Sequence, residues 1–112
     1  MSPWISWRER TGLPGGLPRG NAVLRDQLVR SAMSIVRQIA EAAGPTSPAD
    51  RRARFVVARG ECGELDASLE IAWRLRIGCR REVERLRTLA DRVGAMLTGL
   101  VRKETERVQR RE

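Results

Sequence analysis

The fold is decided by residues 83–100, which read VERLRTLADRVGAMLTGL. Apolar side chains recur there at alternating intervals of three and four residues, at Val83, Leu86, Ala90, Val93, Leu97 and Leu100. This spacing places them on one stripe of an α-helix and is typical of the seam of a helical bundle. Leu89 and Met96, seven residues apart, lie beside the seam and widen the apolar face. We therefore predict a helix from about Arg80 that packs against two neighbours.

A second helix is predicted upstream by its start signal and its apolar stripe. Ser47-Pro48-Ala49-Asp50 combines a capping serine, a proline suited to the first helical turn, and an acid favoured at a helix N-terminus. The apolar positions that follow are Phe55, Ala58, Cys62, Leu65, Leu69 and Ala72. We expect this helix to end near Ile77-Gly78. Gly60 and Gly63 weaken its interior by roughly 1 kcal/mol each relative to Ala, so they predict a close contact with another helix.

The earliest helix is predicted from Asn21 to about Ala43. Asn21 is a favoured N-cap residue, and Gly44-Pro45 is a typical helix end. The apolar stripe of this helix comprises Leu28, Ala32, Ile35, Ile39 and Ala42. The sequence thus predicts an all-α protein, an antiparallel up-down bundle with three long helices. Because the stripes are wide, a fourth helix or further copies of the chain should cover what three helices leave exposed.

The chain is expected to be one bundle domain with a leader and a tail. Residues 1–20 form a Gly/Pro-rich leader, since the second half of this stretch holds four Gly and two Pro. Trp4 and Trp7 belong either to a short anchor that docks on the bundle or on a neighbouring subunit, or to a disordered leader. Residues 21–103 form the helical bundle domain, and residues 104–112 form a charged C-terminal tail that we expect to fray.

The net charge points to a polyanionic partner. The 22 basic and 14 acidic residues give a formal charge of +8 and a pI near 11.4. Such a field attracts RNA, DNA or an acidic protein surface. Among the basic residues only Lys103 is a lysine, a bias that fits phosphate recognition and fits genome composition equally.

Three groups of arginines are the candidate nucleic-acid-binding residues. They are Arg30 and Arg37 on one face of the first helix, Arg51, Arg52 and Arg54 in the first turns of the second, and Arg80 and Arg81 at the start of the third. The chain has one Phe and three Trp, which are too few aromatic side chains for extensive stacking on bases. We therefore expect binding to the phosphate backbone that does not depend on nucleotide sequence. The residues expected at helix-packing or oligomer contacts are Leu28, Ile35, Ile39, Gly60, Leu65, Leu69, Val93, Leu97 and Leu100.

Catalytic and metal-binding functions find little support in the sequence. General acid–base catalysis at neutral pH relies most often on His, and the chain has none. Glu61-Cys62-Gly63-Glu64 lacks the His of the Glu-x-x-His motif in di-metal bundles. We expect Glu41 and Glu64 either to balance arginines or to cap polar contacts between helices. The sequence therefore predicts a protein that is not an enzyme and takes no cofactor, metal or small-molecule substrate.

The cysteines and the hydropathy of the sequence indicate the cellular compartment in which we expect the protein. Cys62 and Cys79 have no metal-ligand spacing, and we interpret them as small buried hydrophobes in a reducing, cytoplasmic compartment. The first ten residues lack the continuous apolar run of a signal peptide. No stretch approaches the roughly 18 apolar residues of a membrane span, so we expect no membrane association.

Three stretches resemble the four-helix-bundle proteins first noticed in intervening sequences of 23S ribosomal RNA genes. Residues 27–35 read QLVRSAMSI and residues 39–44 read IAEAAG, similar to QLRRAAVSI and NIAEGAG of that family. Residues 58–75, ARGECGELDASLEIAWRL, resemble the family's ARGSLGELETQLEIARRL and are the most specific match. Residues 96–100, MLTGL, resemble its closing ML.GL. The resemblance covers roughly residues 24–101.

This resemblance implies a four-helix bundle that assembles as a ring-shaped homopentamer. The same fold includes the accessory variability protein of diversity-generating retroelements, a basic pentamer that binds a reverse transcriptase and its template RNA. Two features depart from the family. The leader has no counterpart of the family's aromatic first helix, which is therefore missing or replaced here. The family's proline after SI is Val36, which favours an unbroken helix.

Together these observations predict a non-catalytic accessory oligomer that binds RNA or a ribonucleoprotein and assists a reverse transcriptase. The alternative is a structural or adaptor bundle whose apolar seam binds a helix of a partner protein without nucleic acid.

Overall fold

Three α-helices make up the part of the chain that the computed structural model describes, residues 19–111. They are α1, Arg19–Ala42, α2, Pro48–Arg74, and α3, Arg80–Arg111. Short turns join them, so consecutive helices run antiparallel, and no strand occurs within these residues. The predicted all-α helical bundle is confirmed. α1 begins two residues before the expected Asn21, and the expectation for Trp4 and Trp7 lies outside the described residues.

The first turn of α2 is capped as its sequence predicts. Ser47 has an extended backbone, with φ −84° and ψ 161°, and its Oγ accepts a hydrogen bond from the Asp50 N–H at 3.1 Å. Pro48 follows in the first turn, where a missing N–H breaks no intrahelical hydrogen bond. A cap of this kind stabilises a helix by about 1 kcal/mol. The cap fixes where α2 begins and therefore how its apolar face is presented.

α2 carries the core because both other helices pack along it. α1 and α3 each contact α2 extensively and hardly touch one another. The main core cluster comprises Leu28, Ile35, Ala42, Phe55, Ala58, Cys62, Leu69, Ala90, Leu97 and Val101. A smaller cluster at the end with the α2–α3 turn comprises Leu24, Ala72, Ile77 and Val83. A groove remains between α1 and α3.

Six of the nine residues expected at helix-packing or oligomer contacts lie in or against this core, and Ile39, Gly60 and Leu100 do not. Those in or against it are Leu28, Ile35, Leu65, Leu69, Val93 and Leu97. Ile39 and Leu100 are each 37% exposed. Ser31 and Ala42 are buried on α1, and Val101 is buried on α3. Because α1 and α3 have only α2 as a substantial neighbour, each buries one narrow strip and leaves the adjacent apolar strip uncovered.

The structure does not place Gly60 and Gly63 at a close helix contact, contrary to the sequence-based expectation. Both are exposed, and a Cβ added at either would meet no atom within 4 Å. Gly94 of α3 instead faces α2, where an added Cβ would lie 3.6 Å from Cys62 Sγ. A glycine's cost in a helix comes from the freedom of the unfolded backbone, so it does not by itself indicate packing.

The expected fraying tail is corrected, because α3 continues to Arg111 and Glu104 is only 3% exposed. Glu104 Oε1 accepts hydrogen bonds from Arg51 Nε of α2, at 3.2 Å, and from Arg107 Nη1. A buried carboxylate is tolerated when cations lie beside it, and this ion pair ties α3 to α2 beyond residue 103. The bundle therefore includes most of the segment that the charge pattern suggested was solvated.

Within residues 19–111, the two cysteines form no disulfide with one another. Cys62 is buried, and its Sγ donates a hydrogen bond to the Ala90 carbonyl oxygen at 3.1 Å. Burial raises the pKa of the Cys62 thiol, and the carboxylates of Asp66 and Asp91 raise it further. The neutral thiol is therefore the form that suits the core. Cys79 is half-buried.

Replacing both Gly60 and Gly63 with Ala should raise the free energy of unfolding by about 0.5–1 kcal/mol per site, since the backbone freedom of the unfolded chain falls and no contact is lost. Urea denaturation measures the change. Gly78→Ala is the matched control of opposite sign, because Gly78 is buried with φ 79°. Destabilisation by the Gly60/Gly63 pair would show that this surface makes a contact that requires glycine.

Cys62 should make stability fall in alkaline solution. Its folded pKa lies above the unfolded value, so its contribution is fully present below the unfolded pKa and is lost as pH rises through the folded pKa. Cys62→Ala removes this dependence while leaving Cys79 as an internal control. The unfolding free energies of the unsubstituted protein and of the Cys62→Ala variant should therefore approach each other as pH rises. A difference that stays constant with pH would contradict a raised pKa for the Cys62 thiol.

Candidate nucleic-acid interface

The predicted basic residues fall at three separate places. The α2–α3 turn, residues 75–79, lies at one end of the bundle, and the α1–α2 turn, residues 43–47, lies at the other. Arg80 and Arg81 lie at the first end, Arg51, Arg52 and Arg54 at the second, and Arg30 and Arg37 along α1. They do not form one surface within the chain. Whether the arginines at each place can bind a phosphate depends on the partners that their guanidinium groups already have.

The arginines near the α1–α2 turn hold the helices together. Arg51 is bound to the buried Glu104 carboxylate of α3. Arg52 Nε donates a hydrogen bond to Thr105 Oγ1 of α3 at 2.7 Å. Arg54 forms an ion pair with Glu41 of α1, as expected for a glutamate that balances an arginine. These guanidinium groups already have partners, so binding a phosphate there would compete with contacts that join α2 to its neighbours.

Arg30 and Arg37 share their surface with acidic residues. Both are exposed and line a shallow depression between α1 and α2, which Glu61 and Glu64 also line. Two carboxylates offset the charge of two guanidinium groups. The local field on a polyanion is therefore weak.

A basic surface with a single lining carboxylate lies at the α2–α3 turn. We define the turn cluster as the residues lining an open depression of about 480 Å³: Glu70, Trp73, Arg74, Arg76, Arg80 and Arg87. Four arginines thus surround a single glutamate. Glu70 pairs with Arg74 at 3.1 Å, and Arg87 Nε lies 4.0 Å from Asp66 Oδ1. Arg76 and Arg80 form no ion pair with any residue in the range 19–111, so their charge is available to a ligand.

Arg80 and Trp73 form a cation–π pair within the turn cluster. The Arg80 guanidinium carbon lies 3.5 Å from the centroid of the indole ring. Trp73 itself is half-buried against the smaller core cluster. The stack orients the guanidinium plane at the surface, and an oriented guanidinium loses less freedom when it binds a phosphate through two N–H groups.

Arg76 occupies a backbone position that usually requires glycine. Its φ is 55°, and the hydrogen bonds around it are those of a Schellman helix end. The Arg76 N–H donates to the Trp73 carbonyl oxygen at 3.3 Å, and the Ile77 N–H donates to that of Ala72 at 2.9 Å. The left-handed conformation costs a residue with a Cβ about 1 kcal/mol or more. Non-glycine residues held this way occur preferentially at functional sites.

Of the turn cluster, the sequence-based candidates include Arg80 alone, and Arg81 lies exposed beside it. Arg74, Arg76 and Arg87 were not singled out as candidates. A signal was present, because Arg74, Arg76, Arg80 and Arg81 fall within eight residues across a predicted helix break. The stacking of Trp73, by contrast, depends on the path of the turn and has no signature in the sequence.

Two further findings concern membrane insertion and metal binding. None of the helices in residues 19–111 is long and apolar enough to cross a bilayer. Within the same residues, no three potential metal-ligating side chains of His, Cys, Asp or Glu lie together.

One comparison with known proteins found a match, and its range includes the sequence motifs described above up to residue 99. A family model described as the 23S rRNA-intervening sequence protein matches residues 17–99, well over half of the chain. No curated protein and no solved structure matches it. The matched range includes α1, α2 and the larger part of α3, together with the turn cluster. On this match, the chain belongs to the 23S rRNA-intervening sequence protein family.

Proposed function

We propose that this protein is a non-catalytic, cytoplasmic accessory protein that binds RNA, or a ribonucleoprotein, through the turn cluster. One observation carries the proposal. Arg76 and Arg80 lie in a depression lined by four arginines and one glutamate, and neither forms an ion pair with another residue in the range 19–111. The family's description adds an association with RNA. A reverse transcriptase bound to its RNA is the partner that the resemblance of the sequence suggests.

Binding through this surface is directed at the phosphate backbone. Arginine binds phosphate oxygens in a bidentate manner, and such contacts carry no sequence information. The aromatic side chain in the cluster, Trp73, is covered on one face by Arg80, which leaves little scope for stacking several bases. The protein therefore positions or protects RNA and does not select a sequence.

An oligomer would strengthen this binding. One chain offers a single turn cluster, which makes few phosphate contacts. A ring of copies repeats the cluster around one rim and raises the overall affinity without new contacts. Exposed apolar side chains on α2 and at its C-cap support self-association: Val57 is 46% exposed, Ile71 49% and the C-cap residue Leu75 65%. We propose that the chain assembles as a homopentamer, as its resemblance to the four-helix-bundle family implies.

Removing two free charges from the turn cluster should weaken RNA binding and its salt dependence. We expect Arg76→Gly combined with Arg80→Gln to lower affinity roughly tenfold or more in moderate salt. The slope of log K against log salt should flatten by about 0.7 per lost contact to single-stranded RNA. Filter binding or fluorescence anisotropy over a salt series measures both quantities.

The matched control is Arg30→Gln combined with Arg37→Gln, which removes the same charge from the surface shared with Glu61 and Glu64. An equal loss in this control would contradict the assignment to the turn cluster, and salt-independent affinity would contradict RNA binding itself. Arg76→Gly alone should also raise the free energy of unfolding by about 1 kcal/mol, because glycine relieves the left-handed conformation. A loss of affinity in a more stable protein cannot be attributed to misfolding.

The mass of the purified chain tests the assembly separately. Light scattering in moderate salt should give about five chains per particle, and the mass should rise when RNA is added. A monomer that binds RNA would retain the function and contradict the ring. A monomer indifferent to RNA would contradict both.

A further inference from the structure

The groove between α1 and α3 is an apolar concavity to which all three helices contribute. It encloses about 470 Å³, within the range of roughly 300–1,000 Å³ typical of pockets that bury a drug-sized group. Val29 and Ala32 line it on α1, Leu89 and Val93 on α3, and Cys62 and Leu65 on α2. We call this the α1–α3 groove. Arg25 is the charged residue among its lining.

The walls of the groove are continuous apolar strips at helical spacing. On α1 the lining includes Val29 and Ala32, and on α3 it includes Leu86, Leu89 and Val93. Within the lining Val29 is 52% exposed and Leu89 43%, and the same apolar strips continue beyond the groove to Val36, which is 67% exposed, and Met96, which is 61% exposed. An uncovered apolar surface of this extent marks a binding site for another apolar element.

We propose that the chain's own N-terminal segment Trp4-Ile5-Ser6-Trp7 docks in the α1–α3 groove and covers it within each molecule. The segment lies upstream of α1 in the sequence, and with three apolar side chains within four residues it is the most aromatic stretch of the chain. The other aromatic residues are engaged elsewhere, because Phe55 is 7% exposed in the core and Trp73 lies under Arg80. Two indole rings match the apolar lining, and Arg25 can stack on one of them.

The chain is long enough to make this connection. The groove lies alongside Arg25 to Ile35 of α1, so its far end is about 24 Å along the helix from Arg19. Trp7 precedes Arg19 by a stretch that reaches about 40 Å when extended. The four Gly and two Pro of residues 11–20 favour the reversal of direction that docking requires. A tether of this length keeps the segment at a high effective concentration beside the groove.

A second copy of the chain is a poorer occupant because of charge. Arg85 and Arg92 are exposed one turn before Leu89 and Met96 of the α3 strip, and Arg25 lies in the groove itself. Pairing two such faces would bring these cations together over the apolar contact, whereas the tryptophan segment carries no charge of its own.

Tryptophan fluorescence tests the proposal in the full chain. Trp73→Phe leaves Trp4 and Trp7 as the reporters, and docking should give them a blue-shifted emission and protection from acrylamide quenching at every protein concentration. Ala32→Glu places a carboxylate in the groove and should shift the emission to that of water-exposed indole, with a severalfold larger quenching constant. Met33→Glu is the matched control, because Met33 is the adjacent exposed residue of α1 and does not line the groove.

Circular dichroism establishes that both glutamate variants retain their helices. Three results would overturn the proposal: an emission of Trp4 and Trp7 already characteristic of exposed indole, an equal effect of the Ala32 and Met33 variants, or protection that appears only as concentration and particle mass rise. The last result would assign the groove to another chain. None of these depends on RNA, so the proposal stands or fails separately from the function of the turn cluster.

Discussion

The packing of two helices on one central helix, without substantial contact between those two, determines the other features of the structure. Each outer helix buries a strip against α2, and the strip beside it stays uncovered. The uncovered strips of α1 and α3 face one groove, which the core alone does not fill. The same arrangement puts the two turns at opposite ends of the bundle, so its arginines are divided between surfaces with different partners.

The two ends of the bundle use arginine in different ways. Near the α1–α2 turn, Arg51 and Arg54 each bind a carboxylate of a neighbouring helix, one of them the buried Glu104. These contacts let α3 remain packed where its sequence is almost entirely charged. At the α2–α3 turn, Arg76 and Arg80 lack such partners among residues 19–111. A positive net charge is therefore insufficient to locate an interface, because an arginine bound to a carboxylate contributes little field to its surroundings.

In the turn cluster, one residue lowers the stability of the fold while it adds a positive charge to the surface. Glycine would suit the left-handed position of Arg76 better, yet the helix end is otherwise complete, with both of its characteristic hydrogen bonds formed and Ile77 packed in the smaller core. The hydrogen bonds and the buried Ile77 hold the conformation, and the guanidinium projects from it. A side chain fixed at a rigid turn loses less freedom on binding than one on a mobile segment.

The sequence by itself determined the number and direction of the helices in residues 19–111 and most of their limits, the end of α3 excepted, because these depend on interactions within a few residues. The Ser47 cap involves Asp50, three residues away, and the apolar spacing of α3 is visible within single turns. Only the tertiary structure decided which strip of each helix is buried, leaving Ile39 and Leu100 outside the core, and which arginines are free. Arg51 meets Glu104 across 53 residues of sequence, and such a partner is chosen by packing that no local pattern records.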